Sequence, residues 1–290
     1  MSKPLTEIKD PHGNALSVQG LCYGFPGEEP LFRDLSFTVN KGEFVSIVAS
    51  SGMGKTTLFR LLARLLVPDS GVITVSGDTP TAKSNAVGYM PQRDCLMPWR
   101  TVQDNAAIGL ELQGVSKRDA RQRVLELLPE LGLEGTELKY PHELSGGMRQ
   151  RVSFLRSLLG GGDLLLLDEP FSALDAMTRT GMQQWLLQAW EKRKKTILFI
   201  THDIDEALLL SDRVLVAARR PITQLQSITI ELPRPRTYET VLDARFVALK
   251  RELMEQFGRL KPAADTGIEP ADNTGTGSSR SVRLQEGASI

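Results

Sequence analysis

Absences narrow this chain before any motif does. Two cysteines, Cys22 and Cys95, are too few for a disulfide framework or a thiolate-rich metal site, which points to a reducing compartment. No stretch approaches the roughly 18 apolar residues of a membrane span. Residues 1–14 contain no apolar core of the length a secretory signal needs. Basic and acidic residues balance at 35 each, so no global field steers the chain toward nucleic acid or an anionic membrane. Aromatic residues make up 6% of the chain, few for a surface that stacks bases. There is no internal repeat. The expectation is a soluble, cytoplasmic protein with no nucleic-acid partner. Its 290 residues suffice for one large domain or two modest ones.

What is present is organised around Ala49-Ser50-Ser51-Gly52-Met53-Gly54-Lys55-Thr56-Thr57. An apolar run, Phe44-Val45-Ser46-Ile47-Val48, precedes it, and a helix-patterned run from Leu58 to Leu66 follows. Strand, glycine-bearing loop and helix in that order are the setting of a phosphate-binding loop. Loop N–H groups and the helix N-terminus converge on one spot and favour an anion there. Lys55 would add positive charge near the β- and γ-phosphates, and the Thr56 hydroxyl would be a ligand for Mg²⁺. The strict pattern begins with glycine, and here Ala49 stands in that place. Alanine would be disfavoured there if φ were positive, but Gly52 and Gly54 remain, so a working loop is expected.

Strands are expected around residues 16–25, 35–39, 43–48 and 72–75, the early ones forming a small sheet. Asn40-Lys41-Gly42 supplies a turn between the second and third. Another short strand covers 87–90, and helical periodicity follows over 101–113 and 116–131, with a capping-box start at Ser116 and Asp119. The α/β pattern resumes at Leu164-Leu165-Leu166-Leu167, which reads as a strand buried on both faces. A long helix over 175–195, a strand at 196–200, a short helix over 203–210 and closing strands at 214–216 and 227–232 complete the core pattern. Helix spacing returns over 241–260, with Val247, Leu249, Leu253 and Phe257 near one face. From Pro262 onward core-forming residues nearly vanish, and a disordered tail is expected.

Two further stretches carry chemistry. Asp168-Glu169 follows the leucine strand, at the carboxyl edge where open α/β sheets bind ligands. An isolated Asp-Glu pair reads as solvated loop acids. Behind four leucines and downstream of Gly-Lys-Thr, it reads as a Mg²⁺-holding aspartate, Asp168, and a general base, Glu169. Leu144-Ser145-Gly146-Gly147-Met148-Arg149-Gln150-Arg151 places a hydroxyl and two glycines ahead of a helix, a second phosphate-binding terminus.

With these residues in order, the chain resembles an ATP-binding-cassette (ABC) ATPase, the nucleotide-binding subunit of an ABC transporter, over residues 16–216. The resemblance implies an α/β fold, a RecA-like P-loop NTPase core with an antiparallel β subdomain and an inserted α-helical subdomain at 93–160. The ATPase domain would span 16–232, after an extension at 1–15 and before a helical extension at 233–261 and a tail at 262–290. It further implies ATP and Mg²⁺ as cofactors. Residues 49–57 match the Walker A loop, with Ser50, Ser51, Gly52, Met53, Gly54, Lys55, Thr56 and Thr57 around the nucleotide, and 164–168 match the Walker B strand. Glu169 matches the catalytic glutamate, and Ser145, Gly146, Gly147, Met148 and Gln150 belong to the signature sequence. Asp175 matches the loop that crosses the dimer interface, Gln92 the glutamine that reaches Mg²⁺ and the attacking water, and His202 the switch histidine. Tyr23 matches the aromatic that stacks on adenine, with Phe25 a nearby rival.

Such a protein works as two copies head to tail, bound to integral membrane permease subunits on the cytoplasmic side of the inner membrane. Met97-Pro98-Trp99-Arg100-Thr101-Val102, in the segment that receives the permease, resembles importers of the nitrate, sulfonate and taurine group. An extracytoplasmic substrate-binding protein is then implied, and the segment after Gln92 is similar to carriers of a thiamine pyrimidine precursor. The other reading is a non-transport ABC ATPase of DNA repair or translation. Those usually carry two cassettes or a long coiled-coil insert, and neither is visible here.

Overall fold

The computed structural model describes residues 13–50, 52–78, 87–217 and 219–260. Ser51, most of the expected N-terminal extension and the expected tail lie outside the described residues. These residues form nine strands and seven α-helices.

Strands β1 (Asn14–Tyr23) and β2 (Phe32–Asn40) pair antiparallel, and β4 (Ser70–Val75) pairs antiparallel on the other edge of β1. Strand β3 (Phe44–Ala49), expected beside β2 in that small sheet, belongs elsewhere. Every residue of β3 is buried, as are those of β6 (Leu164–Asp168) and β7 (Thr196–Thr201). A strand covered on both faces suits the centre of a parallel sheet rather than a one-faced hairpin. The turn at Gly42, with φ 73°, therefore passes the chain from one sheet to another.

The second sheet has the order β5-β6-β7-β3-β8-β9, with β5 at Val87–Met90, β8 at Arg213–Ala217 and β9 at Gln226–Thr229. All neighbours run parallel except β8 and β9. The period-2 geometry of its strands splits the interior in two. Phe44, Val48, Leu165, Leu167, Ile197 and Phe199 face one core, and Val45, Ile47, Leu164, Leu166, Leu198 and Ile200 the other. The second core also holds the small sheet and helix α1 (Lys55–Leu62).

The remaining helices serve the first core. Helices α2 (Val102–Leu112), α3 (Lys117–Leu127) and α4 (Gly146–Gly160) lie between β5 and β6 in sequence. After β6 come α5 (Ala176–Arg193), α6 (Ile204–Leu210) and α7 (Ala244–Leu260). Thr101, Ser116, Ser145, Asp175 and Asp203 each cap a helix by accepting an N–H from its first turn. In α7 Leu253 is buried and Leu249 packs against the core as expected, whereas Val247 is 47% exposed and the buried Phe246 takes its place. No helix among the described residues is long and apolar enough to cross a membrane.

Candidate functional site

The parallel strands β3, β6 and β7 end at one edge of the sheet, and the expected chemistry gathers there. Ala49 ends β3 opposite Ala217 of β8 and is only 3% exposed. The left-handed conformations of the loop fall at Gly52 (φ 78°) and Gly54 (φ 91°), not at Ala49, so alanine fits where the strict pattern has glycine. Gly54 leads into α1 with no side-chain cap, leaving the first N–H groups of the helix without an internal partner. Lys55 is 9% exposed, and its ammonium donates to the carbonyls of Ala49 (2.7 Å) and Ser50 (3.1 Å). Burial pushes its pKa below the usual lysine range, against the pull of Glu169 and Asp168.

Asp168, at the end of β6, is 1% exposed. Burial chiefly holds its carboxyl up to about 6, with Glu169 adding to the shift, while a hydrogen bond with Thr56 and the charge of Lys55 oppose it. One oxygen, Oδ2, is buried with no hydrogen-bond partner. A buried carboxylate oxygen without a partner, beside a threonine hydroxyl, fits a hard divalent cation such as Mg²⁺. Among the described residues no cluster of three or more His, Cys, Asp or Glu could cage a metal, so a bound ion would take its remaining oxygens from its ligand and water.

Glu169 adopts φ 48°, a left-handed conformation that costs roughly 1–2 kcal/mol for a residue with a Cβ. Its N–H donates to the Ile200 carbonyl of β7 at 3.0 Å, which ties the turn to the neighbouring strand. Its carboxylate Oε2 accepts from Gln92 Nε2 at 3.2 Å and lies 3.4 Å from His202 Nδ1. Three residues far apart in sequence thus meet at one oxygen. The Glu169 side chain is 16% exposed and that of His202 67%, so the histidine stands at the open rim.

A cavity of about 290 Å³ opens over the loop, lined by Phe25, Gly52, Gly54, Lys55, Thr56, Thr57, Gln92 and Glu169. Ser50 is exposed beside it, and Met53 packs against the core under the small sheet. Of the two aromatics expected near adenine, Tyr23 is 9% exposed and meets Phe25 edge-on at 5.4 Å, and Phe25 is the ring in the cavity wall. Two cavity residues, Glu28 and Arg220, had no motif to announce them. Arg220 follows β8, which runs parallel to β3 and ends beside the loop. Glu206 was also missed. It is buried, accepts from Thr201 Oγ1 (2.6 Å) and Gln183 Nε2 (3.0 Å), and holds the end of β7 next to His202. Burial pushes its carboxyl pKa up.

The signature residues lie apart from this cavity. Ser145 caps α4 by accepting from Met148 N–H at 3.3 Å, and Gly146 and Gly147 form the first turn. None of Ser145, Gly146, Gly147, Met148 or Gln150 lines the cavity over Lys55. Gln150 is 4% exposed, and its buried Nε2 lacks a partner. Asp175 caps α5, and hydrogen bonds from Thr178 hold its carboxyl below the usual range. Leu174, just before it, lies against Gly147, where an added Cβ would come within 3.1 Å of Leu174 Cδ2.

The protein-family model described as "ABC transporter" matches residues 32–172. The formylaminopyrimidine import ATP-binding protein ThiZ of Halalkalibacterium halodurans is 42% identical over 240 residues, covering 82% of this chain and 94% of that protein. The aliphatic sulfonates import ATP-binding protein SsuB 1 of Rhodococcus jostii is 45% identical over 225 residues, covering 78% and 86%. Among solved structures, the dimeric post-hydrolysis state of the ATP-binding cassette MJ0796 bound to ADP and Pi superposes with a TM-score of 0.66 at 25% identity, over 75% of this chain and all of that one. By this similarity and by the site assembled on its sheet edge, the chain belongs to the ATP-binding proteins of the ABC transporter family.

Proposed function

We propose that this chain is the ATP-hydrolysing subunit of an ABC importer and that it works as a head-to-tail pair. The observation that carries the reading is the meeting of Gln92, Glu169 and His202 beside the Lys55 loop, with the signature helix start outside the same cavity. Lys55 leaves the loop carbonyls for the β- and γ-phosphates, and loop N–H groups from Gly52 to Thr57 cradle the anion. Thr56, Asp168 and Gln92 would hold Mg²⁺, which would neutralise negative charge at the phosphates. Glu169 takes the proton of the attacking water, and His202 orients at the γ-phosphate end. Phe25 stacks on adenine. Ser145, Gly146, Gly147 and Met148 of a second copy close the site from the other side, with Asp175 at the crossing.

Further support comes from the relatives. The names of ThiZ and SsuB 1 describe import, and the MJ0796 cassette was solved as a dimer. No relative described above acts in DNA repair or translation. Residues 93–160 are read as a helical subdomain that receives a membrane permease near Trp99, which is 74% exposed. The pair would sit on the cytoplasmic face of the membrane, supplied by an extracytoplasmic binding protein. Its cargo is a small anion or small organic solute, chosen by those other subunits. Formylaminopyrimidine and sulfonates, named for two relatives, are the first to test.

Replacing Glu169 by Gln tests the core of this reading. Hydrolysis should fall at least ~100-fold, while ATP binding persists and a dimer accumulates on size exclusion with ATP. Hydrolysis at the wild-type rate would remove Glu169 from the role of base.

A further inference from the structure

The loop holds two cations, not one. Lys55 rests on the carbonyls of Ala49 and Ser50, and the Arg220 guanidinium donates to the carbonyl of Gly52. Arg220 lies in an exposed segment yet is fixed on both flanks. On one side Ala217 ends β8 opposite Ala49. On the other, Ile222 is 4% exposed, donates its N–H to the Leu31 carbonyl at 2.8 Å and accepts from Arg33 N–H at 3.1 Å. Leu31 and Arg33 follow directly on the turn that carries Phe25 and Glu28, so Arg220 stands between that turn and the loop. It lines the same cavity as Phe25, Glu28 and Lys55.

A carbonyl is a weak partner for a guanidinium compared with a phosphate, which matches its planar fork and carries charge. We propose that Arg220 is a nucleotide-contacting residue, a second phosphate-seeking cation that leaves the Gly52 carbonyl for the nucleoside side of the bound triphosphate. The inference rests on the ATP-binding reading given above and adds to it a residue that no signature motif contains. Because the Arg220 segment is pinned to Leu31 and Arg33, next to the turn of Phe25 and Glu28, and Arg220 makes no contact with Glu169 or His202, it governs affinity rather than the chemical step. ADP, which keeps the α- and β-phosphates, depends on it as ATP does.

The test is equilibrium titration of the purified chain with ATP and with ADP, comparing wild type, Arg220→Gln and Arg220→Lys. Arg220→Gln should weaken both nucleotides about tenfold, roughly 1.4 kcal/mol, and flatten the salt dependence of binding. Arg220→Lys, which keeps the charge but not the planar fork, should recover part of the loss. Unchanged affinity in Arg220→Gln, with wild type binding ATP, overturns the proposal and leaves the ATPase reading standing. A lowered melting temperature with unchanged affinity also overturns it, since Arg220 would then only brace the loop. A loss confined to ATP overturns it too, because the contact would lie at the γ-phosphate. Failure of the wild type to bind ATP would instead sink the parent reading.

Discussion

Two glycine-bearing helix starts, those of α1 and α4, look alike in sequence and differ in what surrounds them. Neither carries an acid in its first turn, whereas α2 has Asp104, α3 has Asp119 and α6 has Asp205 and Glu206. Both therefore present the positive end of a helix dipole without an internal neutraliser. At α1 the start is left-handed at Gly54 and has no side-chain cap, with Lys55, Asp168 and Glu169 gathered beside it. At α4 the start is an ordinary serine cap, and neither Ser145 nor its two glycines borders the cavity. One terminus is half of a site built inside the chain. The other is a finished surface that gains a use only against a second molecule.

Alanine scanning of the two glycine pairs would break that contrast if it were wrong. At Gly54, φ is 91° and an added Cβ would come within 3.3 Å of Leu31 Cδ1 and 3.4 Å of Phe32 Cζ. Gly54→Ala forces the loop to shift and loses several charge-assisted hydrogen bonds, so ATP affinity should fall by about 100-fold or more. At Gly147 the backbone is helical, and the nearest atom is the end of the flexible Leu174 side chain. Gly147→Ala should leave ATP binding by a single chain within about threefold, yet lower hydrolysis by on the order of tenfold through the paired state. Calorimetric titration beside a hydrolysis assay reads both. Equal loss of single-chain binding in the two variants would erase the distinction.

The parts legible in sequence were those set locally. Gly52 and Gly54 answer a backbone demand within one loop, and the caps at Ser116 and Ser145 each act within three residues. Leu164-Leu165-Leu166-Leu167 announced a strand covered on both faces because no polar residue interrupts it. What was hidden depends on distant partners. The placing of β3 beside β7 and β8, rather than β2, joins Val45 to Leu198 and Arg213, and no short-range signal encodes that. Which of Tyr23 and Phe25 would line the cavity was hidden too, because the β1–β2 register shifts between Leu21 and Tyr23 and upsets any simple alternation. On α7, Leu249 and Leu253 pack on the core as their spacing implies, and only Val247 gives way to its neighbour Phe246. Arg220 was hidden in the same way as the placing of β3, since its partner Gly52 lies far away in sequence.

Asp168 sharpens the contrast through stability, since the built half of the site holds a group that the fold alone does not satisfy. The unfolded carboxyl releases its proton near 3.8, the folded one near about 6. Well below pH 3.8 both states are protonated and the residue is neutral in effect. As pH rises through that window the unfolded state ionises first, so the ligand-free fold loses stability and the loss is complete above pH 6. Asp168→Asn should therefore raise the stability of the chain in chelator by about 2–3 kcal/mol at pH 8 and by less at pH 5. The same variant should gain far less from Mg²⁺ with ATP than wild type does. Denaturant unfolding at the two pH values checks both, and a destabilised Asp168→Asn at pH 8 without metal would contradict the unsatisfied carboxylate.

The smallest expected effect tests the finished terminus. Ser145 Oγ accepts from Met148 N–H, but a hydroxyl has a second lone pair and a proton to donate. Capping its own helix therefore does not prevent it from donating to a phosphate oxygen brought by a partner. Ser145→Ala removes both roles and should cost about 1 kcal/mol of single-chain stability. Ser145→Asp separates them: aspartate caps as well as serine and adds a favourable charge to the α4 dipole, so the single chain should melt no lower than wild type. Its carboxylate would face the phosphates of the partner's nucleotide, and the ATP-dependent dimer should fail to form on size exclusion. An ATP-dependent dimer of normal yield in Ser145→Asp would mean that the α4 terminus meets no anion, and the likeness between the two helix starts would then be one of sequence alone.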